Sequence, residues 1–221
     1  MGTLILNFKN YPEVLGAGAL NLALAAAKVA ASADARIIVS PPNSMLALVA
    51  SKVSIPVFCQ SLGSESGEKT TGADLPEAAV AAKAAGTILN HSEARKPVAE
   101  LQKLVPRVMG LGLEVCLCAR SVGESVALSA LVPDYIAVEP PELIGTGVAV
   151  SRAKPEVVRG TVEKLRKAGY RGKILCGAGI VRAEDVRKAV ELGTDGVLVS
   201  SSVVKAKDWE GKIAELALSL K

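Results

Sequence analysis

The chain has 221 residues, of which 50% are apolar and 3% aromatic, and a formal net charge of +4. This length fits one larger α/β domain, residues 1–221, better than two small domains. Lysines and arginines are spread along the chain without basic blocks. The charge therefore argues against a nucleic-acid partner and gives weak support to a small anionic substrate.

The most apolar helical stretch, Ala19 to Ala31, is shorter than a bilayer span and contains Asn21 and Lys28. No basic segment with a cleavage site precedes it. We therefore expect a soluble, cytoplasmic protein without a membrane partner.

The four cysteines each lie in or at the end of an apolar run, and neither a second close pair nor a histidine at ligand spacing accompanies them. We expect buried free thiols, as in a reducing cytosol, and neither disulfides nor a metal site. The cysteines are Cys59, Cys116, Cys118 and Cys176.

Eight short apolar runs alternate with helix-like stretches rich in Ala, Leu, Glu and Lys. The predicted strands are Leu4–Asn7, Arg36–Ser40, Pro56–Cys59, Gly86–Asn90, Glu114–Cys118, Asp134–Val138, Lys173–Cys176 and Gly196–Val199. The predicted helices include Leu75–Ala85, Val98–Leu111, Val122–Leu131, Lys154–Ala168, Ala183–Leu192 and Trp209–Leu220.

This alternation predicts the α/β class and a single (β/α)₈ barrel, often called a TIM barrel, with a parallel eight-stranded core. The alternative is an open doubly wound sheet. It is weaker because the segment after the first strand, Asn7-Phe8-Lys9-Asn10-Tyr11, is not a glycine-rich dinucleotide fingerprint.

Polar side chains follow the predicted strands, where the loops of such a barrel build its site. Asn7 and Lys9 follow the first strand and, two apart in extended chain, would point the same way. His91 and Glu93 follow the fourth strand, and Glu139 follows the sixth. Each has an ordinary structural interpretation when taken singly, but their placement after successive strands favours a site.

Small residues follow the last two strands, as Gly177-Ala178-Gly179 and Ser200-Ser201-Ser202. Barrels of this kind commonly hold a phosphate there on backbone amides.

The segment from Glu139 to Gly147 reads Glu-Pro-Pro-Glu-Leu-Ile-Gly-Thr-Gly. Its stiff proline entry and glycine exit predict a lid over the site.

Three motifs carry a resemblance to a known family: Asn7-x-Lys9, Asn90-His91-Ser92-Glu93, and Glu139-Pro140 followed by Ile144-Gly145-Thr146-Gly147. In order and spacing they resemble the signatures of the triosephosphate isomerases, over essentially the whole chain. The short length and the Glu-Pro-Pro-Glu-Leu-Ile lid are similar to the compact archaeal form. The resemblance implies interconversion of dihydroxyacetone phosphate and D-glyceraldehyde 3-phosphate through an enediolate, in glycolysis and gluconeogenesis, with no cofactor and no metal.

The resemblance also implies roles. Glu139 would be the base that moves a proton between neighbouring carbons, and His91 would polarise the carbonyl oxygen. Lys9 would supply positive charge and Asn7 a hydrogen bond to the oxyanion, with Glu93 orienting Lys9. The implied substrate-binding residues are Asn7, Phe8, Lys9, Ile144, Gly145, Gly179, Ser200 and Ser201.

The sequence departs from the common family pattern around the phosphate. Gly179 stands where many members have a serine, and Ser200 and Ser201 stand where a glycine pair is common. The catalytic positions are unchanged.

The family pattern further implies a homodimer or homotetramer. The segment from Glu68 to Gly72 follows the third strand, where members extend a loop into the partner subunit. Thr71 matches the threonine that reaches the neighbour's site.

Two alternatives stay open. One is another sugar-phosphate isomerase or epimerase, or an aldolase with a Schiff base on Lys9, although a single histidine argues against a metal cluster. The other is a non-catalytic barrel that binds a phosphorylated ligand.

We further expect His91 to stay neutral. Ser92 and Glu93 are typical of the first turn of a short helix, and the backbone amides of such a turn oppose a second proton on the imidazole.

Overall fold

Eight parallel strands form one sheet in the computed structural model, which describes residues 1–140 and 149–221. The sheet order is β2-β1-β8-β7-β6-β5-β4-β3, with the strands β1 (Gly2–Asn7), β2 (Ala35–Ser40), β3 (Phe58–Cys59), β4 (Gly86–Leu89), β5 (Glu114–Ala119), β6 (Tyr135–Val138), β7 (Lys173–Cys176) and β8 (Gly196–Val199). All eight predicted strands are confirmed.

The barrel closes between β2 and β3. A parallel bridge pairs Val39 with Val57 there, and the amide of Val39 donates to the carbonyl oxygen of Pro56 at 3.1 Å. The predicted eight-stranded barrel is therefore confirmed, and the carboxyl ends of the strands face one mouth.

Helices follow the strands and cover the outside of the barrel. They are α1 (Ala17–Ala30), α2 (Leu46–Ala50), α3 (Pro76–Ala81), α4 (Val98–Gly110), α5 (Val122–Ser129), α6 (Val150–Ala153), α7 (Pro155–Lys167), α8 (Ala183–Glu191), α9 (Ser201–Val204) and α10 (Trp209–Leu218). The short helices α2, α6 and α9 were not predicted, because four or five residues are too few to show a helical period.

Helix α3 ends four residues before its predicted end. Lys83 adopts a positive φ of 63°, and the amide of Ala84 donates to the carbonyl oxygen of Ala79 at 2.9 Å. This left-handed termination stops the helix although the following residues are alanines.

The core has two layers, because side chains alternate between the two faces of each strand. In β1, Leu4 and Leu6 pack outward against the helices, whereas Ile5 points into the barrel. The inner layer contains Ile5, Ile38, Phe58, Ile88, Cys116, Cys118, Tyr135, Ala137, Leu175 and Leu198.

All four cysteines are buried and free, as the sequence predicted. No helix in residues 1–140 or 149–221 is long and apolar enough to cross a membrane.

Polar side chains close the end of the barrel opposite the mouth. Arg36 on β2 pairs with Glu114 on β5, although these strands are not neighbours in the sheet. The hydroxyl of Tyr135, at the start of β6, donates to Oε2 of Glu114 at 2.6 Å. The cluster therefore links strands on different sides of the barrel.

We expect Tyr135→Phe to lower the free energy of unfolding by about 1–2 kcal/mol, because it removes a hydrogen bond to a charged group. The ring, which contacts Phe58 edge-on at 6.2 Å between centroids, stays in place. Urea unfolding followed by circular dichroism measures the change. An unchanged midpoint would show that the hydroxyl does not stabilise the barrel.

Candidate active site

Glu139 leaves the carboxyl end of β6 with its side chain enclosed in the barrel mouth. Its amide donates to the carbonyl oxygen of Ala119 at 2.7 Å, and only 3% of its surface is exposed. Gly177, after β7, makes room for it. A Cβ at position 177 would lie 2.4 Å from Cγ of Glu139. A side chain there would push the carboxylate from its place.

Burial dominates the electrostatics of Glu139. Loss of water raises the pKa of its carboxyl group to about 7, against smaller lowering effects from a hydrogen bond with Cys118 and from the charge of Lys9. Oε2 of Glu139 is buried and has no hydrogen-bond partner among the described residues. A carboxylate in this state is a proton acceptor matched to neutral pH.

His91, directly after the end of β4, faces this carboxylate. Its Nε2 lies 3.8 Å from Oε2 of Glu139, which is beyond hydrogen-bond range. The amide of Glu93 donates to Nδ1 of His91 at 3.2 Å. Nδ1 is therefore the lone-pair nitrogen, and Nε2 carries the proton on the side of the mouth.

Burial, with a smaller contribution from the nearby charge of Lys9, lowers the pKa of His91 to about 4. The predicted short helix after His91 is wrong: residues 92–94 form a turn, and α4 begins only at Val98. Asn90 explains the difference. Its carbonyl oxygen and its side-chain oxygen accept from Arg95 and from the amide of Lys96, so that the chain folds back around Asn90. The amide of Glu93 still points at the ring, as a helix start would provide.

Lys9 carries its ammonium group into the mouth. Its Nζ donates to Oε1 of Glu93 at 2.7 Å. The expected extended chain at Lys9 is wrong, because φ is +50°. Two side chains support this left-handed backbone. Oδ1 of Asn7 accepts from the amide of Lys9 at 3.0 Å, and Nε2 of Gln60 donates to its carbonyl oxygen at 2.9 Å.

Two adjoining cavities occupy the mouth. The larger, of about 500 Å³, is lined by Asn7, Lys9, His91 and Glu93 among others. The smaller, of about 50 Å³, brings Lys9, His91 and Glu139 together with the ends of β7 and β8. Its wall includes Gly179 and the three serines after β8. A base, a neutral hydrogen-bond donor and a cation thus share one enclosed space with small residues suited to a phosphate.

A family model described as "Triosephosphate isomerase" matches residues 2–217. The chain belongs to the triosephosphate isomerase family. Curated members from archaea are similar over nearly their whole length. The triosephosphate isomerase of Pyrobaculum arsenaticum is 49% identical, over 98% of this chain and 97% of the relative. Those of Caldivirga maquilingensis and Methanocaldococcus jannaschii are 48% and 43% identical, over 98% and 96% of this chain and 96% and 97% of the relatives.

The site residues that the resemblance implied fall into three groups in the structure. Most of them line the two cavities: Asn7, Lys9, His91, Glu93, Glu139, Gly179, Ser200 and Ser201. Phe8 and Thr71 do not. Phe8 is fully buried in the layer between strands and helices, and Thr71 is exposed in the loop after β3. Ile144, Gly145 and the rest of the expected lid lie outside the described residues.

The sequence did not indicate Gln60 or Tyr11 as site residues, although both line the larger cavity. Gln60 directly follows β3, so the rule that located His91 and Glu139 would have found it. The ammonium of Lys205 lies over the ring of Tyr11, with Nζ 4.8 Å from the ring centroid, and this contact connects the loop after β1 to the end of α9.

In residues 1–140 and 149–221 no group of three or more His, Cys, Asp or Glu side chains could hold a metal ion.

We expect His91 to stay neutral from about pH 5.5 to 8, since a pKa of about 4 leaves the imidazole unprotonated above that value. Nitrogen-15 NMR is suited to the test, because the chain has one histidine and the signal needs no assignment. The spectrum should show the Nε2–H tautomer throughout. A titration near the ordinary value of about 6.5 would contradict both the burial argument and the role of a neutral donor.

Proposed function

We propose that the protein interconverts dihydroxyacetone phosphate and D-glyceraldehyde 3-phosphate, with residues 1–221 as a single catalytic domain. The observation that carries this proposal is the enclosed pair of Glu139 and His91, with pKa values of about 7 and about 4. Membership of the family and relatives named triosephosphate isomerase at 40–49% identity support it.

Glu139 is the base in this proposal. Isomerisation needs a group that removes a weakly acidic proton from the carbon beside the carbonyl and returns it to the neighbouring carbon. A carboxylate without a partner for Oε2 keeps that oxygen available to the proton. Its raised pKa makes it a stronger base than an exposed glutamate, while a large fraction is still ionised at neutral pH.

His91 and Lys9 stabilise the charge that develops on the substrate oxygens. A neutral imidazole donates its Nε2 proton to the carbonyl oxygen and can take a proton back, whereas an imidazolium would simply release one. This division between a glutamate base and a neutral histidine is the established mechanism of the family. Lys9, held by Glu93 at 2.7 Å, adds a positive charge, and Nδ2 of Asn7 is a further donor at the same cavity.

The phosphate group would lie at the ends of β7 and β8, on backbone amides near Gly179, Ser200 and Ser201. The smaller cavity reaches these residues and also Lys9 and Glu139. One small molecule could therefore contact these backbone amides with its phosphate while its reacting carbons contact Lys9 and Glu139. Ile144 and Gly145 would complete the binding site from the lid, as the resemblance implies.

A coupled assay with glycerol-3-phosphate dehydrogenase tests the activity directly. We expect Glu139→Asp to lower kcat on the order of 100-fold with little change in KM, because a shorter side chain misplaces the base by about 1 Å. Glu139→Gln, which keeps the size and removes the base, should lose more. Equal losses in kcat and in affinity would indicate that Glu139 serves binding and not proton transfer.

We also propose that the protein is a cytoplasmic homodimer or homotetramer, with the loop after β3 reaching the partner subunit. The exposure of Thr71 and the buried free cysteines support this proposal. Light scattering should give two or four times the 22.7 kDa of one chain. Thr71→Glu should lower this mass or raise the concentration needed for assembly. A monomer at micromolar concentration would contradict the proposal.

A further inference from the structure

Asn90, the residue directly before His91, is a buried polar residue with an unusual backbone conformation. Only 2% of its surface is exposed, and its φ is +60°. Asparagine adopts this left-handed conformation more readily than most residues, so it can end β4 with a sharp turn. Its carboxamide is then enclosed and needs hydrogen-bond partners within the protein.

Both ends of this carboxamide bond to backbone groups. Nδ2 donates to the carbonyl oxygen of Cys118 on β5 at 3.0 Å, and Oδ1 accepts from the amide of Lys96 at 3.1 Å. A carbonyl group can only accept and an amide can only donate, so the partners fix the orientation of the carboxamide. The guanidinium of Arg95 also holds the residue, by donating to the carbonyl oxygen of Asn90 at 3.0 Å.

The bond to Cys118 continues the pairing of β4 with β5 beyond the end of β4. Backbone pairing of these two strands ends with Leu89 opposite Leu117, and Cys118 is the next residue along β5. A further backbone bond to its carbonyl oxygen would need β4 to stay extended. The left-handed turn at Asn90 ends that extension, and the side chain supplies the bond instead.

The end of β5 therefore holds the chain on both sides of the mouth. On one side the carbonyl oxygen of Cys118 accepts from the residue before His91. On the other side the next carbonyl oxygen of β5, that of Ala119, accepts from the amide of Glu139 at 2.7 Å. With both backbones held in this way, Nε2 of His91 lies 3.8 Å from Oε2 of Glu139.

We propose that Asn90 is a positioning residue that sets the separation between the imidazole of His91 and the carboxylate of Glu139. It acts through its hydrogen bond to Cys118, and it is not among the described residues that line the two cavities. The inference rests on the proposed function, because the separation affects activity only if both groups act on one substrate. A shift of about 1 Å at such a site can lower the rate on the order of 100-fold.

The test compares two variants with the unchanged protein. Asn90→Gly keeps the left-handed turn without strain and removes the carboxamide. Asn90→Asp keeps the shape and the acceptor, but an ionised carboxylate has no hydrogen to donate to the carbonyl oxygen of Cys118. In the coupled assay we expect both variants to lower kcat on the order of 10-fold or more. KM should change less than about threefold, because neither substitution alters a group that contacts the substrate.

Crystal structures of the variants give a measurement that does not depend on activity. We expect the distance between Nε2 of His91 and Oε2 of Glu139 to change by about 0.5 Å or more in Asn90→Gly, since nothing then ties the residue before His91 to β5. The nitrogen-15 signals of the single histidine should shift as well, because the ring lies differently against the carboxylate.

Tyr170→Phe is the matched control for a loss of stability. The hydroxyl of Tyr170 donates to the carbonyl oxygen of Pro133 at 2.9 Å, so this substitution also removes a buried bond from a side chain to the backbone. Both residues precede their strands, β7 and β6, and lie at the end of the barrel away from the mouth. We expect the melting temperature to fall as it does in Asn90→Gly, whereas kcat should change less than about twofold.

Three results would each overturn the inference. The first is an unchanged kcat in either Asn90 variant, and the second is an unchanged distance between His91 and Glu139 in Asn90→Gly. The third is a loss of kcat in Tyr170→Phe as large as in Asn90→Gly, because reduced stability alone would then explain the loss. Failure of the proposed function gives a different pattern. The unchanged protein would then not interconvert the triose phosphates, while the crystal structures would still show the altered distance.

Discussion

The arrangement of the mouth depends on one constraint, the burial of an ionisable carboxyl group at the end of β6. Keeping Glu139 out of water is unfavourable for its charged form, and this cost is the source of its basicity. The surrounding residues preserve the enclosure. Gly177 leaves the space that the side chain fills, and His91 approaches to 3.8 Å without forming a hydrogen bond that would stabilise the charged carboxylate and lower its pKa.

The same enclosure explains why one site can hold a strong base and a weak acid side by side. Desolvation disfavours charge on both groups, so it raises the pKa of Glu139 and lowers the pKa of His91. The positive charge of Lys9 lowers both pKa values. It therefore adds to the effect of desolvation on His91 and opposes that effect on Glu139. The two groups therefore obtain complementary proton affinities from one low-dielectric environment.

Much of this arrangement could be predicted from the sequence. The alternation of apolar runs and helical stretches located all eight strands, and the rule that sites follow strand ends brought Lys9, His91 and Glu139 together. The predictions that were wrong concern the local backbone conformation at two site residues. The chain after His91 was predicted to begin a helix, but the side-chain oxygen of Asn90 accepts from the amide of Lys96, which a helix would have used for its own ladder. The left-handed backbone of Lys9 was not foreseen either, since it depends on contacts with residues distant in sequence, such as Gln60.

The closure between β2 and β3 links the local stability of the barrel to its chemistry. Strand β3 is two residues long, and in the described chain one bridge pairs Val39 of β2 with Val57, the residue before β3. The carboxamide of Gln60 reinforces this seam by donating to the carbonyl oxygen of Ser40 at the end of β2, and it also donates to the carbonyl oxygen of Lys9 after β1. With so few backbone bonds, the seam is where we expect transient opening of the barrel to need the least free energy. Each such opening would also break the hydrogen bond from Gln60 to Lys9, one of the two side-chain contacts that support the backbone of Lys9, so the stability of this seam bears on how firmly the cation is held in the mouth.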